Sequence, residues 1–395
     1  MKHFLLFTLC ILTVQTNAQI EVSTLTTTFK GSGGVTIDQD GNVYIGDFGD
    51  FLGGPDTDGI PNNVMRLDTD LNLTIFANDF TGASGNEFDA SGVLYQADIR
   101  DNAVYKIVGG SRELYTSTGL VLPVGIAFDS SGNLFVCNCG TSTIRKITAA
   151  GVSTEFSTGA GLLACPNGMT IDENDNLYVV NFSNPFVVKI EPDGTVTNIG
   201  ETDLGNGHID YDQNTKNLYI ASFGGNQLFY LNTLTLNFGL LAGTGDPGNT
   251  DGAALGGATF SAPNGIAVSK TGDSIYVNSS ATLDNSNLNP QYVRLLTNVL
   301  SLSTEEYEIP DAAIKAYPNP TLEQLIIEST YISSIPDLSI TVLDISGKSV
   351  KKVDEFDSSD QSTLVIDVSS LHSGMFFYTI NKQNKTLYRG KFIKK

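Results

Sequence analysis

Apolar and polar residues alternate over short stretches of this chain, and one arrangement returns again and again. In Pro123 to Ile147 the apolar positions are Ile126 and Phe128, then Leu134 and Val136, then Ile144 and Ile147, with polar turns between them. Alternation of period two over about four to eight residues is the signature of a half-buried strand, so this stretch predicts a three-stranded meander. Its first turn reads D-x-x-G-N. Gly132 supplies the positive φ of a tight hairpin and the short polar residue beside it tolerates similar geometry, so the motif needs no ligand to explain it.

Five further copies align with it: Gly34 to Asp47, Gly85 to Asp98, Gly168 to Asn181, His208 to Ser222 and Gly265 to Asn278. Their matching turn positions, Asp38, Asp89, Asp129, Asp172, Asp212 and Ser269, lie 40 to 57 residues apart. A spacing near about 40 to 50 residues is that of propeller blades, and a small meander can bury its faces only against neighbours. The expected fold is all-β: a six-bladed β-propeller over residues 19–304, a linker over 305–312, and a small C-terminal β-sandwich over 313–395.

Glu21 to Phe29 has the alternation of a blade's outer strand but follows no meander. It is expected to complete the last blade beside Tyr292 to Leu296, joining the chain ends; Leu300 to Ser303 is the competing strand. Phe48 to Asn63 and Ala242 to Pro263 are rich in Gly, Asp and Pro and read as loops. The first contains D-x-D-G, a fragment of a calcium-loop pattern without its later Glu, for which a solvated turn is the default reading.

Charge narrows the partners. Residues 1–311 hold 12 Lys/Arg against 34 Asp/Glu, whereas residues 312–395 hold 10 against 9. The field of the first part repels phosphate backbones and anionic lipid, so neither nucleic acid nor an acidic membrane is an expected partner. Lys2 and His3 precede an apolar run ending at Val14, and Thr16-Asn17-Ala18 supplies a small residue before Gln19, so residues 1–18 read as a signal peptide. No later run is long enough to span a bilayer as a helix. Removal of Cys10 leaves three cysteines in an oxidising compartment. Cys139 follows the second strand of blade 3 and Cys165 precedes the first strand of blade 4, on one face, which predicts a Cys139–Cys165 disulfide with Cys137 packed as a small apolar side chain. C-x-C is not the spacing of a zinc site.

Pro263-Asn264-Gly265-Ile266-Ala267-Val268, preceded by Ala242-Gly243-Thr244-Gly245-Asp246 and followed by Ile275-Tyr276-Val277, resembles NHL repeats and the related gluconolactonase (senescence marker protein) propellers. Past Leu302 another set of motifs runs in order: Tyr317-Pro318-Asn319-Pro320, the turn Ser346-Gly347-Lys348, Leu371 to Tyr378, and the basic end Lys391 to Lys395. Together they resemble the C-terminal sorting domain of the type IX secretion system. That resemblance implies passage through the periplasm to the cell surface or the medium, with the secretion machinery as a partner.

Chemistry is expected at the central channel. The residues just before the first-strand slot are Gly33, Ser84, Val124, Asn167, Gly207 and Asn264. The gluconolactonase resemblance implies a channel cation, calcium being favoured, held by carboxylate and Asn oxygens, which Asn167 and Asn264 match in type. Two slots on, Thr36, Glu87, Ala127, Thr170, Asp210 and Ala267 include two carboxyls, Glu87 and Asp210, on opposite blades. A buried carboxyl is costly unless paired or bound to metal, so Glu87, Asn167, Asp210 and Asn264 form the candidate cation site. His208, the sole propeller histidine, stands where other repeats carry Gly and is the candidate general base or ligand. No G-x-S-x-G, H-E-x-x-H or phosphate-cradling loop occurs. The leading functional reading is an extracellular or surface binding or scaffold protein for an unknown ligand; the alternative is a divalent-metal-assisted hydrolase or lactonase.

Overall fold

The computed structural model describes residues 19–50, 61–203, 205–283, 287–299, 314–328, 338–344, 348–353, 363–382 and 385–395. The leader, the D-x-D-G motif, the rival strand Leu300 to Ser303 and the linker lie outside the described residues.

Six antiparallel sheets are the blades of the propeller. Their innermost strands are Val35–Ile37, Ala83–Phe88, Pro123–Phe128, Pro166–Ile171, Asn206–Asp212 and Ile266–Val268. These six strands touch in order around the axis, and the sixth touches the first. The D-x-x-G-N turns are self-contained. Asp38 Oδ1 accepts the backbone N–H groups of Asp40 and Asn42 at 2.9 Å, Asp129 does the same for Ser131 and Asn133, and Gly132 has a φ of 76°. The recurrent glycine of the inner strand has a different cause. A Cβ on Gly85 would stand 2.4 Å from Val124 O, and one on Gly125 2.5 Å from Asn167 O, so glycine is what lets neighbouring blades close on the axis.

The N-terminal strand Glu21–Thr24 pairs with Gln291–Thr297, as the sequence predicts, and closes blade 6. The insertion read as a loop contributes more than a loop. Its Gly252–Ala253 adds a fifth strand outside Glu21–Thr24, and Ala254 N–H donates to Ile20 O at 2.9 Å. Arg294 anchors this insertion from inside: fully buried over the Phe260 ring, it donates to Thr259 O, Thr250 O and Asp251 Oδ1 at 2.9–3.0 Å.

Cys139 and Cys165 form the expected disulfide, and Cys137 is a buried free thiol whose pKa burial drives upward. Bridging 26 positions of chain between blades 3 and 4 stabilises by about 3 kcal/mol in the chain-entropy account.

The C-terminal unit is a sandwich of a three-stranded and a four-stranded sheet around a core that includes Leu325, Ile340, Phe376, Tyr378 and Phe392. Its opening Y-P-N-P is pinned to the basic last strand: Ile393 N–H donates to Asn319 Oδ1 at 3.0 Å, and Asn319 Nδ2 donates to Lys391 O at 3.3 Å.

Candidate functional site at the propeller axis

In blades 1 to 4 the second strand leads into a polar residue that organises the loops at one mouth of the channel. Asp47 and Asp98 cap the turns that follow them, accepting from Gly49 N–H and from Arg100 and Asp101 N–H. Asn138 and Asn181 instead hold the loops preceding the inner strands of blades 3 and 4, accepting from Val121 and Ala164 N–H. In both arrangements the next residue is turned toward the axis. Those next residues are Phe48, Ile99, Cys139 and Phe182, and with Phe223, which follows Ser222 in blade 5, and Leu288 from blade 6 they wall a cup of about 680 Å³.

The wall is one apolar surface. Phe223 is buried with Ala262 and Leu288, and Phe48 and Phe182 pack against them partly buried. The Phe182 and Phe223 rings lie 6.0 Å apart, and the Arg100 guanidinium sits 5.3 Å from the Phe48 ring centre while donating to Phe48 O and Thr81 O. The sequence reading missed this collar. Its signal is register: an apolar residue directly after the strand-ending polar one, in five of six repeats, where a solvated loop would carry polar residues.

At the floor is His208. It is buried, and its Cε1 would lie 3.2 Å from a Cβ on Gly34, so the ring crosses toward blade 1 through space that a glycine leaves open. Burial lowers its pKa to about 4, which makes it a neutral imidazole with one donor and one acceptor near neutral pH. Beyond it the axis narrows to a second cavity of about 20 Å³ that Glu87 and Asp210 line.

His208 belongs to both cavities, and the four expected cation ligands divide between them. Asn167 and Asn264 line the cup, where each side chain clasps the next blade: Asn167 Nδ2 donates to Asn206 O at 2.8 Å, and Asn264 Nδ2 to Ser32 O at 2.6 Å. Glu87 and Asp210 face the inner cavity. Asp210 accepts from Tyr211 N–H and Val268 N–H at 2.8 Å and from the Thr170 hydroxyl at 3.4 Å, so it ties blades 4, 5 and 6 together. Glu87 accepts from Phe88 N–H and from the Thr36 hydroxyl. Both carboxyls keep some accessible surface. Burial, then the charge of Asp210, pushes Glu87 up to about 8, and burial pushes Asp210 up to about 6.

The raised pKa of Glu87 has a pH signature. The native state keeps a proton that the unfolded chain releases near pH 4.5, so this group's contribution lowers stability as pH rises from about 4.5 to about 8. In chelator, Glu87→Gln should be more thermostable than the parent at pH 8, and the gap should close toward pH 4.5. Parallel melting temperatures across that window would contradict the assigned environment.

With both units in view, the comparisons are specific at the C-terminus. Residues 315–395 match the secretion system C-terminal sorting domain. The C-terminal unit is a type IX sorting domain. The sorting domain marks the protein for export to the cell surface or the medium, with the secretion machinery as its partner. Residues 8–161 match the SMP-30/Gluconolactonase/LRE-like region. No curated protein matches the sequence. Among solved structures, a protein of unknown function from Bacteroides thetaiotaomicron is 16% identical, with a TM-score of 0.57 over 70% of this chain and 76% of that one. An auxiliary nutrient binding protein from Bacteroides ovatus is 13% identical, with a TM-score of 0.53 over 71% of this chain and 76% of that one. A gluconolactonase from Xanthomonas campestris is 13% identical, with a TM-score of 0.52 over 70% of this chain and 89% of that one. At these identities the likeness shows the propeller fold alone.

Proposed function

We propose that the exported propeller is a binding protein that captures a small, largely apolar molecule in the cup at its mouth. The observation that carries this reading is the collar of Phe48, Ile99, Phe182, Phe223 and Leu288 around a cavity of about 680 Å³. Ligand pockets of roughly 300–1,000 Å³ with apolar walls and few polar groups are the usual form of a small-molecule site. His208 at the floor, neutral and axial, offers one hydrogen bond to a polar end of the guest. Hydrolysis assisted by a metal would need ligands and an activating group converging on one point. Here Asn167 and Asn264 lie in one cavity and Glu87 and Asp210 in another, and among the described residues no three His, Cys, Asp or Glu side chains are grouped to hold a metal.

The test uses an uncharged apolar fluorophore, N-phenylnaphthylamine, because the acidic propeller would repel an anionic probe. Its fluorescence should rise saturably with one site per chain. Phe182→Asp and Phe48→Asp, each shown by its melting curve to be folded, should weaken that binding by about tenfold or more, the equivalent of about 1.4 kcal/mol of lost apolar contact. Absence of saturation, or equal affinity in both variants, would refute the assignment.

A further inference from the structure

The inner cavity sits in the layer of side chains between the two slots of the innermost strands. Around the ring this layer is Val35, Asn86, Ile126, Met169, Ile209 and Ile266. Their cross-strand partners are Ile45, Gln96, Val136, Val179, Ile220 and Val277. Five blades therefore carry an apolar pair where blade 2 carries two carboxamides.

That substitution is costly as it stands. Asn86 is only 6% exposed and Gln96 is fully buried. Gln96 Nε2 donates to Gly85 O and Ala97 O at 3.0 Å, but Gln96 Oε1 and both polar atoms of Asn86 have no hydrogen-bond partner. Each such orphan costs about 1–3 kcal/mol. Asn86 lines the same cavity as Glu87, Asp210 and Thr36, and that cavity, about 20 Å³, has room for one water-sized species.

We propose that this inner cavity is a binding site for a single calcium-type cation, with Asn86, Glu87, Asp210 and Thr36 supplying its oxygen ligands. The donors are hard oxygens, carboxylate, amide and hydroxyl, which is the calcium set. The small volume excludes an ion that keeps its water shell, as magnesium tends to. Two carboxyls lining one narrow cavity gain their counter-charge from the ion. The ligand set differs from the one read from the sequence: Asn86 and Thr36 take the places of Asn167 and Asn264. It stands independently of the guest in the cup, which the fluorophore titration tests without calcium.

The experiment is a calcium titration of chelator-stripped full-length protein followed by thermal unfolding, with elemental analysis after desalting. The melting temperature should rise by on the order of 5 °C at about a hundredfold excess over the dissociation constant, one calcium should remain per chain, and magnesium should not substitute. Asn86→Ile, which gives blade 2 the residue of blades 3, 5 and 6, should lose the rise and the bound ion. Asn86→Asp, which adds a carboxylate, should reach the same rise at lower calcium and keeps the test decisive if the isoleucine variant does not fold. No rise in the parent overturns the proposal and leaves the cavity to water. An undiminished rise in Asn86→Ile also overturns it, since the ion would then sit elsewhere on the acidic surface.

Discussion

Deleting residues 19–30 should abolish the single cooperative unfolding transition of the propeller. Glu21–Thr24 is hydrogen-bonded to Gln291–Thr297 on one side and to Gly252–Ala253 on the other, so its loss opens blade 6 on both. Ile20 and Val22 leave a core shared with Leu241, Phe260 and Leu296. Two buried aliphatic side chains are worth about 1.5–3 kcal/mol each, and the lost ladder bonds add about 1 kcal/mol apiece. Asp251 also loses the two bonds it accepts from Thr24, at 3.0 Å from the N–H and 2.8 Å from the hydroxyl, so the insertion held by Arg294 loses part of its support. The total approaches the 5–15 kcal/mol of a whole domain. A broad melt displaced downward by about 15 °C or more is expected. A sharp transition within a few degrees of the parent would show that the strand is an accessory and not the closure.

The second large effect concerns address and not fold. A stop codon at Tyr317 should leave a propeller with its normal thermal transition, and that protein should accumulate in the periplasm while almost none reaches the surface or medium. Two observations motivate this. The matched sorting domain begins at residue 315, and among the described residues the C-terminal core is composed of residues from Ile314 to Phe392 with no propeller residue in it. Normal appearance of the truncated protein outside the cell would contradict the division of labour.

Much of the architecture was legible because it is written locally and then repeated. Period-two alternation and the D-x-x-G-N turn identify each blade, since Asp38 and Asp129 satisfy their own turns through bonds two and four residues away. The strand ends of blades 3 and 4 place Cys139 and Cys165 on one face, so blade alignment alone predicts their bond. The closing strand was legible as an outer strand without a meander. Contacts made across the ring were not. Equivalent slots place Asn167 and Glu87 at successive levels of one axis, but no pattern within a repeat says that the Asn amide will reach into the next blade while the carboxyl faces a separate cavity. Arg294 and Asp251 are 43 residues apart, and nothing local announces their pairing. The collar and the Asn86–Gln96 pair were visible in principle, as an apolar residue where a loop should be polar and a polar pair where five blades are apolar.

If the cup is where the exported propeller binds its guest, a crystal of the propeller grown with N-phenylnaphthylamine will show it. Ordered density for the fluorophore is expected between Phe48, Phe182 and Phe223, above His208. Saturable binding in solution accompanied by density only outside the cup would contradict it.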